Sequence, residues 1–174
     1  MFTLRVRIIL ILAATTYGAY KFAYGHESAY LVLLAAPLLL WGYFRYGPMR
    51  PAFNAMNRGD FDTARQLMET VKFPKLLSAE SKAYYHWVNA VLASQDPNAL
   101  AYAEDEMRLA LGGSIRTSHD RCLATAMLAQ MVAQGDDPES AMQLLTDAEQ
   151  FRHKESASVY LQEVRARIEQ LSKV

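Results

Sequence analysis

Ser118, His119 and Asp120 follow one another in the chain, and they are the residue types of a hydrolytic triad. Such a triad is set by geometry in space, and three consecutive residues on a helix point three ways. The run reads better as a helix start. Thr117 or Ser118 supplies the cap, and Asp120 falls in the first turn, where the helix dipole favours an acid. The four histidines, His26, His86, His119 and His153, have no His or acidic partner at a metal-binding spacing. His86, beside Trp87 on a predicted helix, reads as a packing or groove residue. Cys122 is the only cysteine, which excludes an intramolecular disulfide and a cysteine-based metal site. Within RCLATAMLA it reads as a small core residue. Gly112, Gly113 and Ser114 lack the strand before and the Lys-Ser/Thr after that a phosphate loop needs, and they read as a helix stop. Glu104, Asp105 and Glu106 read as a solvated helix face. No catalytic residue, cofactor, metal or small-molecule substrate is expected, so function has to come from surfaces.

Two different halves carry those residues. The 174-residue chain has zero formal net charge. Residues 1–50 hold five basic residues against Glu27, while residues 51–174 hold 13 basic against 17 acidic. A basic, apolar front and an acidic, helix-forming back suggest an anchor joined to a second domain. The acidic back argues against nucleic-acid binding, which needs a positive face.

The front is expected to be a transmembrane helical hairpin, with helices over about 5–24 and 28–46. IILILAATTYGAY, residues 8–20, is uncharged; its helix reaches about 20 Å, and the flanks to Tyr24 extend it. Lys21 would then snorkel, and Tyr17, Tyr20, Phe22 and Tyr24 would form an aromatic belt. SAYLVLLAAPLLLWGYF, residues 28–44, is a longer uncharged run with Pro37 inside it and Trp41, Tyr43, Phe44 and Tyr46 towards its far end. Arg5 and Arg7 precede the first helix, and Arg45, Arg50 and Arg58 follow the second. The positive-inside rule therefore places both termini and the second domain in the cytoplasm, on a bacterial-type inner membrane. A cleaved signal peptide, or a buried hairpin in a water-soluble fold, are the alternatives. Pro48 and Pro51 stiffen the joint that follows.

From residue 51 on, the pattern is helical throughout, with breaks near Gly59, Pro74, Pro97, Gly112–Gly113 and Gly135–Pro138. Three helices share apolar residues at i, i+4 and i+7: Ala64, Met68, Val71; Ala103, Met107, Ala110; and Ala141, Leu145, Ala148. The leading alanines are 39 and then 38 residues apart. That spacing puts each trio on one helix face, and that period indicates a solenoid of helix pairs. The last segment, residues 157–171, reads as a capping helix.

These residues resemble the tetratricopeptide repeat family. AYYHWVNAVLASQD, residues 83–96, is similar to its first helix, through Tyr84, Trp87, Asn89 and Ala90. LAQMVAQGDDPESAMQLLTDA, residues 128–148, keeps the family's offsets across the turn. GDFDTARQLMETV, residues 59–71, is similar to its turn and second helix, with PAFNAMN as a short first helix. The resemblance covers residues 51–171 and implies an all-α chain: a hairpin over 1–50 and a short solenoid of about three helix pairs with a cap over 51–174.

The resemblance further implies a concave groove lined by the first helices. It would present Phe53 and Met56 from the first pair, Lys82, Tyr85, Asn89 and Leu92 from the second, and Ala126, Gln130 and Ala133 from the third. Asn89 matches one residue of a carboxylate clamp, but Tyr85 and Ala93 stand where the clamp has lysines, so an apolar peptide or partner helix is the expected ligand. Packing of Tyr85 and Phe53 on a neighbouring helix is the alternative. The function expected is a membrane-anchored scaffold or adaptor that binds a protein partner. The alternative is an accessory subunit of a membrane transport or export complex, packing through Ala13, Ala14, Gly18 and Ala19.

Overall fold

The computed structural model of the chain describes residues 4–25, 29–135 and 137–172. His26 and Glu27 lie outside the described residues, as do the side chains of Arg5, Arg7 and Tyr43. Every regular element among the described residues is helical. The chain divides into two units, Met1–Gly47 and Pro48–Val174.

The first unit is a helical hairpin of α1 (Leu4–Ala23) and α2 (Ala29–Tyr46). The two helices approach closely at Gly18, where an added Cβ would sit 2.8 Å from Leu33 Cδ2 and 3.3 Å from the Leu33 backbone nitrogen. Gly18 is therefore spent inside the hairpin, where only a residue without a side chain fits; the sequence had suggested it for packing on other membrane helices. At the turn end, Tyr17, Tyr20, Phe22 and Tyr24 are all exposed. Tyr20 leans on Tyr24, Phe22 meets Tyr30 edge-on, and the Lys21 ammonium lies 5.5 Å from the Tyr17 ring centre.

No helix among the described residues is long and apolar enough to cross a membrane. The two-span expectation is not met there. α1 begins with two arginines in its first turn and carries Lys21 in its last, which shortens its uncharged run. In α2 the side chains of Ala35, Ala36, Leu39 and Leu40 lie outside the described residues.

The second unit begins at α3 (Met49–Asn57), slightly ahead of residue 51, because Met49 is already a core side chain. It continues through α4 (Phe61–Glu69), α5 (Ala79–Ala93), α6 (Leu100–Gly112), α7 (Ser118–Gln134), α8 (Pro138–Gln150) and α9 (Glu155–Leu171). Helix starts follow the sequence signals. Asp60, Ser78, Thr117 and Asp137 each accept a hydrogen bond from the backbone N–H three residues on, at 3.0–3.1 Å. Gly59 turns the chain between α3 and α4 at φ 77°, a conformation that costs other residues strain.

Packing follows chain order. α3 pairs with α4, α5 with α6 and α7 with α8; α5 then lies against α3 and α4, α7 against α6, and α9 against α7 and α8. The repeated trios supply the seams. Ala64, Ala103, Met107, Ala110, Ala141, Leu145 and Ala148 are wholly buried and Met68 nearly so. Val71 falls just past the end of α4 and is half-buried. An alanine lets a neighbouring helix approach, and the bulky residue one turn later fills the space beside it. On α9, Ala157, Leu161, Val164 and Ile168 form the buried stripe that closes the stack.

Candidate partner-binding site

The candidate surface is built on α5. Lys82, Tyr85, Asn89 and Leu92 recur at helical spacing, so they share one face of that helix. Lys82 is exposed, and Tyr85, Asn89 and Leu92 are half-buried. The opposite face, with Tyr84, Trp87, Val88 and Ala90, is buried. Because that inner face is apolar and large, it fixes the rotation of α5 and so fixes which residues remain outside.

The inner face is held by two polar contacts and an aromatic cluster. The Tyr84 hydroxyl donates to Asp120 Oδ2 at 2.5 Å. The Trp87 indole N–H meets Met127 Sδ at 3.3 Å, and Trp87 itself is 1% exposed. Phe53 from α3 packs edge-on against both rings, with centroids 4.9 Å from Tyr84 and 4.8 Å from Trp87. Burial pushes the Tyr84 phenol far above its usual pKa, and the Asp120 charge adds to that.

Beside the outer face lies a second polar contact. His86 Nδ1 donates to Glu106 Oε2 of α6 at 3.0 Å, and both side chains are largely shielded. The Tyr102 phenol on the same helix is raised by partial burial and by the Glu106 charge. Glu106 had read as part of a solvated acidic run, but it is 8% exposed. Nothing in the spacing of His86 and Glu106, twenty residues apart, announced this pair.

The other residues expected in the groove are placed differently. Met56, Ala126 and Ala133 are buried in the core, so they offer no side chain to a ligand. Phe53 is half-buried in the aromatic cluster just described. Gln130 is covered by α9, where its Oε1 accepts from the Tyr160 hydroxyl at 3.2 Å. α9 lies against α7 as well as α8, just as α5 lies against both α3 and α4, so it packs as the closing helix of the stack. The structure thus keeps four of the nine residues together on one accessible face, all of them on α5.

His119 and Asp120 are engaged by different partners, and Ser118 is exposed. Asp120 serves Tyr84, and His119 Nδ1 accepts from the Lys154 N–H at 3.4 Å. Cys122 is buried, and burial raises its thiol pKa. Among the described residues, no group of three or more His, Cys, Asp or Glu side chains could hold a metal ion. Comparison with protein-family models, with curated proteins and with solved structures returns no match.

Proposed function

We propose that the chain is a membrane-anchored scaffold whose helical unit, built in the manner of a tetratricopeptide solenoid, holds a protein partner at the cytoplasmic face of the inner membrane. The observation that carries this reading is how apolar surface is shared out. Thirteen of the nineteen exposed large hydrophobic side chains among the described residues belong to the hairpin, from Ile9 to Tyr46. The helical unit is more than twice as long and leaves only six exposed among the described residues.

Water tolerates scattered apolar side chains but not a two-helix element that exposes so many of them together. A lipid phase covers such an element at no further cost. The helical unit supplies the binding part. Its α5 face offers one cation, one aromatic ring, one amide and one aliphatic group, a mixture suited to an apolar peptide or an amphipathic helix.

Two measurements test the reading. Alkaline carbonate washing of membranes should leave the full-length protein in the pellet; release into the supernatant would overturn the anchor. Affinity capture from solubilised membranes should return a stoichiometric partner that Tyr85→Ala with Asn89→Ala removes. Exchange of the hairpin for an unrelated anchor should preserve that capture. Loss on exchange would instead favour a subunit that packs through its hairpin.

A further inference from the structure

The turn between α4 and α5 has a chemistry of its own. Residues 70–79 carry Lys72 and Lys75 and no acid, inside a stretch from residue 51 onward that holds four more acidic residues than basic ones. The turn also holds Phe73, 58% exposed, and Leu76, 45% exposed. These are two of the six exposed large hydrophobics of the helical unit, set within one short loop. The remaining four belong to α6 and α9.

This exposure is imposed by the fold of the turn. Pro74 opens a 3-10 turn over Pro74–Leu76, closed by the Leu76 N–H on the Phe73 carbonyl at 3.1 Å and the Leu77 N–H on the Pro74 carbonyl at 3.2 Å. Leu77 is driven into the core at 7% exposure. With Leu77 pinned inward and Ser78 capping α5 immediately after it, Phe73 and Leu76 are held on the outside. An ordinary water-facing turn is polar. Here large apolar side chains alternate with cations, the pattern by which a peripheral element enters the boundary between lipid headgroups and acyl chains. The lysines are matched in sign to anionic headgroups, unlike the unit as a whole, whose net charge is negative.

We propose that the turn bearing Lys72, Phe73, Lys75 and Leu76 docks on an anionic lipid surface, its two apolar side chains entering the boundary region and its two lysines pairing with lipid phosphate. This deepens the membrane reading of the hairpin and gives the helical unit a second, electrostatic attachment.

The test uses the full chain, with Cys122→Ala to clear the one native thiol and an environment-sensitive fluorophore on Leu76→Cys. A second preparation carries the probe on Gln143→Cys, an exposed position of α8. Vesicles of phosphatidylcholine alone are compared with vesicles that also contain phosphatidylglycerol. The probe at residue 76 should brighten and be quenched by lipid-borne quenchers only with phosphatidylglycerol, while the probe at residue 143 stays in water. Lys72→Gln with Lys75→Gln should shift the docked-to-undocked ratio by about thirtyfold. A water-exposed probe at residue 76 on anionic vesicles overturns the proposal. So does equal brightening on both lipids. Flotation with pure phosphatidylcholine vesicles reports on the hairpin separately, so the two readings fail by different signals.

Discussion

Tyr84 and Asp120 lie 36 residues apart in sequence and 2.5 Å apart in space, the phenol donating to the carboxylate. This bond joins the middle of α5 to the first turn of α7. Asp120 thereby has two jobs: its backbone N–H is capped by Thr117, and its side chain ties down an aromatic ring of the core.

Tyr84→Phe removes a hydrogen bond to a charged acceptor and leaves Asp120 without it. Such bonds contribute about 1.5–3 kcal/mol. The expected result is a loss of that size in urea unfolding, with Asp120→Ala, which removes the acceptor, giving a loss as well. The double variant should cost clearly less than the sum, and additivity would show that the two groups are not coupled.

Stability should decline in alkali. The phenol of Tyr160 is pushed up to about 12 by burial, against an ordinary value of 10.0, and that of Tyr84 is raised as well, by burial and Asp120. A raised pKa means that the unfolded chain loses its proton first. The stabilisation is therefore full below about pH 10 and falls as pH rises through the folded values. Chemical unfolding between pH 9 and about 12 should show this fall, and Tyr160→Phe should flatten it.

Acid acts through the caps. Asp60 and Asp137 are held below the ordinary carboxylate value by hydrogen bonds from Thr63 and Ser140 respectively. Their contribution is present above about pH 4 and is lost as pH falls through the lowered values. Asp137→Asn keeps the cap but cannot titrate. It should unfold much as the parent does at neutral pH and show a shallower loss below about pH 4 in a thermal melt.

The repeat seams set a size limit. Leu145→Ala opens a cavity at a wholly buried site and should cost about 2–5 kcal/mol. Ala141→Leu overfills the same seam and should cost about 1–3 kcal/mol, whereas Ala166→Leu on the exposed side of α9 should stay within about 0.5 kcal/mol. Equal losses at Ala141 and Ala166 would contradict the seam.

Within the hairpin, Gly18→Ala forces a methyl against Leu33 at 2.8 Å. The helices should part and become more sensitive to protease in detergent. Leu33→Ala in the same chain should restore protection, because the colliding atoms belong to that side chain and its removal leaves only the 3.3 Å backbone contact.

Much of this architecture was legible in the chain. The three trios recurring near 38 residues named the buried faces before any coordinates, because helix periodicity maps sequence spacing directly onto a face. One cap and the breakers marked helix ends for equally local reasons: Thr117 before α7, and Gly59, Pro74, Pro97 and Gly135–Pro138 between helices, act on backbone groups within a turn of themselves; the caps Asp60 and Asp137 emerged only in the structure. Of the nine residues the resemblance assigned to a groove, Lys82, Tyr85, Asn89 and Leu92 share one partly exposed face of α5, because positions on a single helix keep their relative rotation.

Tertiary structure decided the rest. That Met56, Ala126 and Ala133 are buried depends on how neighbouring helices are rotated against α3 and α7, and Gln130 is engaged by Tyr160 because α9 lies against α7. The partnerships of Tyr84 with Asp120, His86 with Glu106 and Gly18 with Leu33 join residues that no local rule relates. Sequence fixes which side of a helix is apolar, because that is a property of a single period. Which polar atoms meet across a seam depends on how two such helices are set against each other, and that is fixed only when the whole core closes.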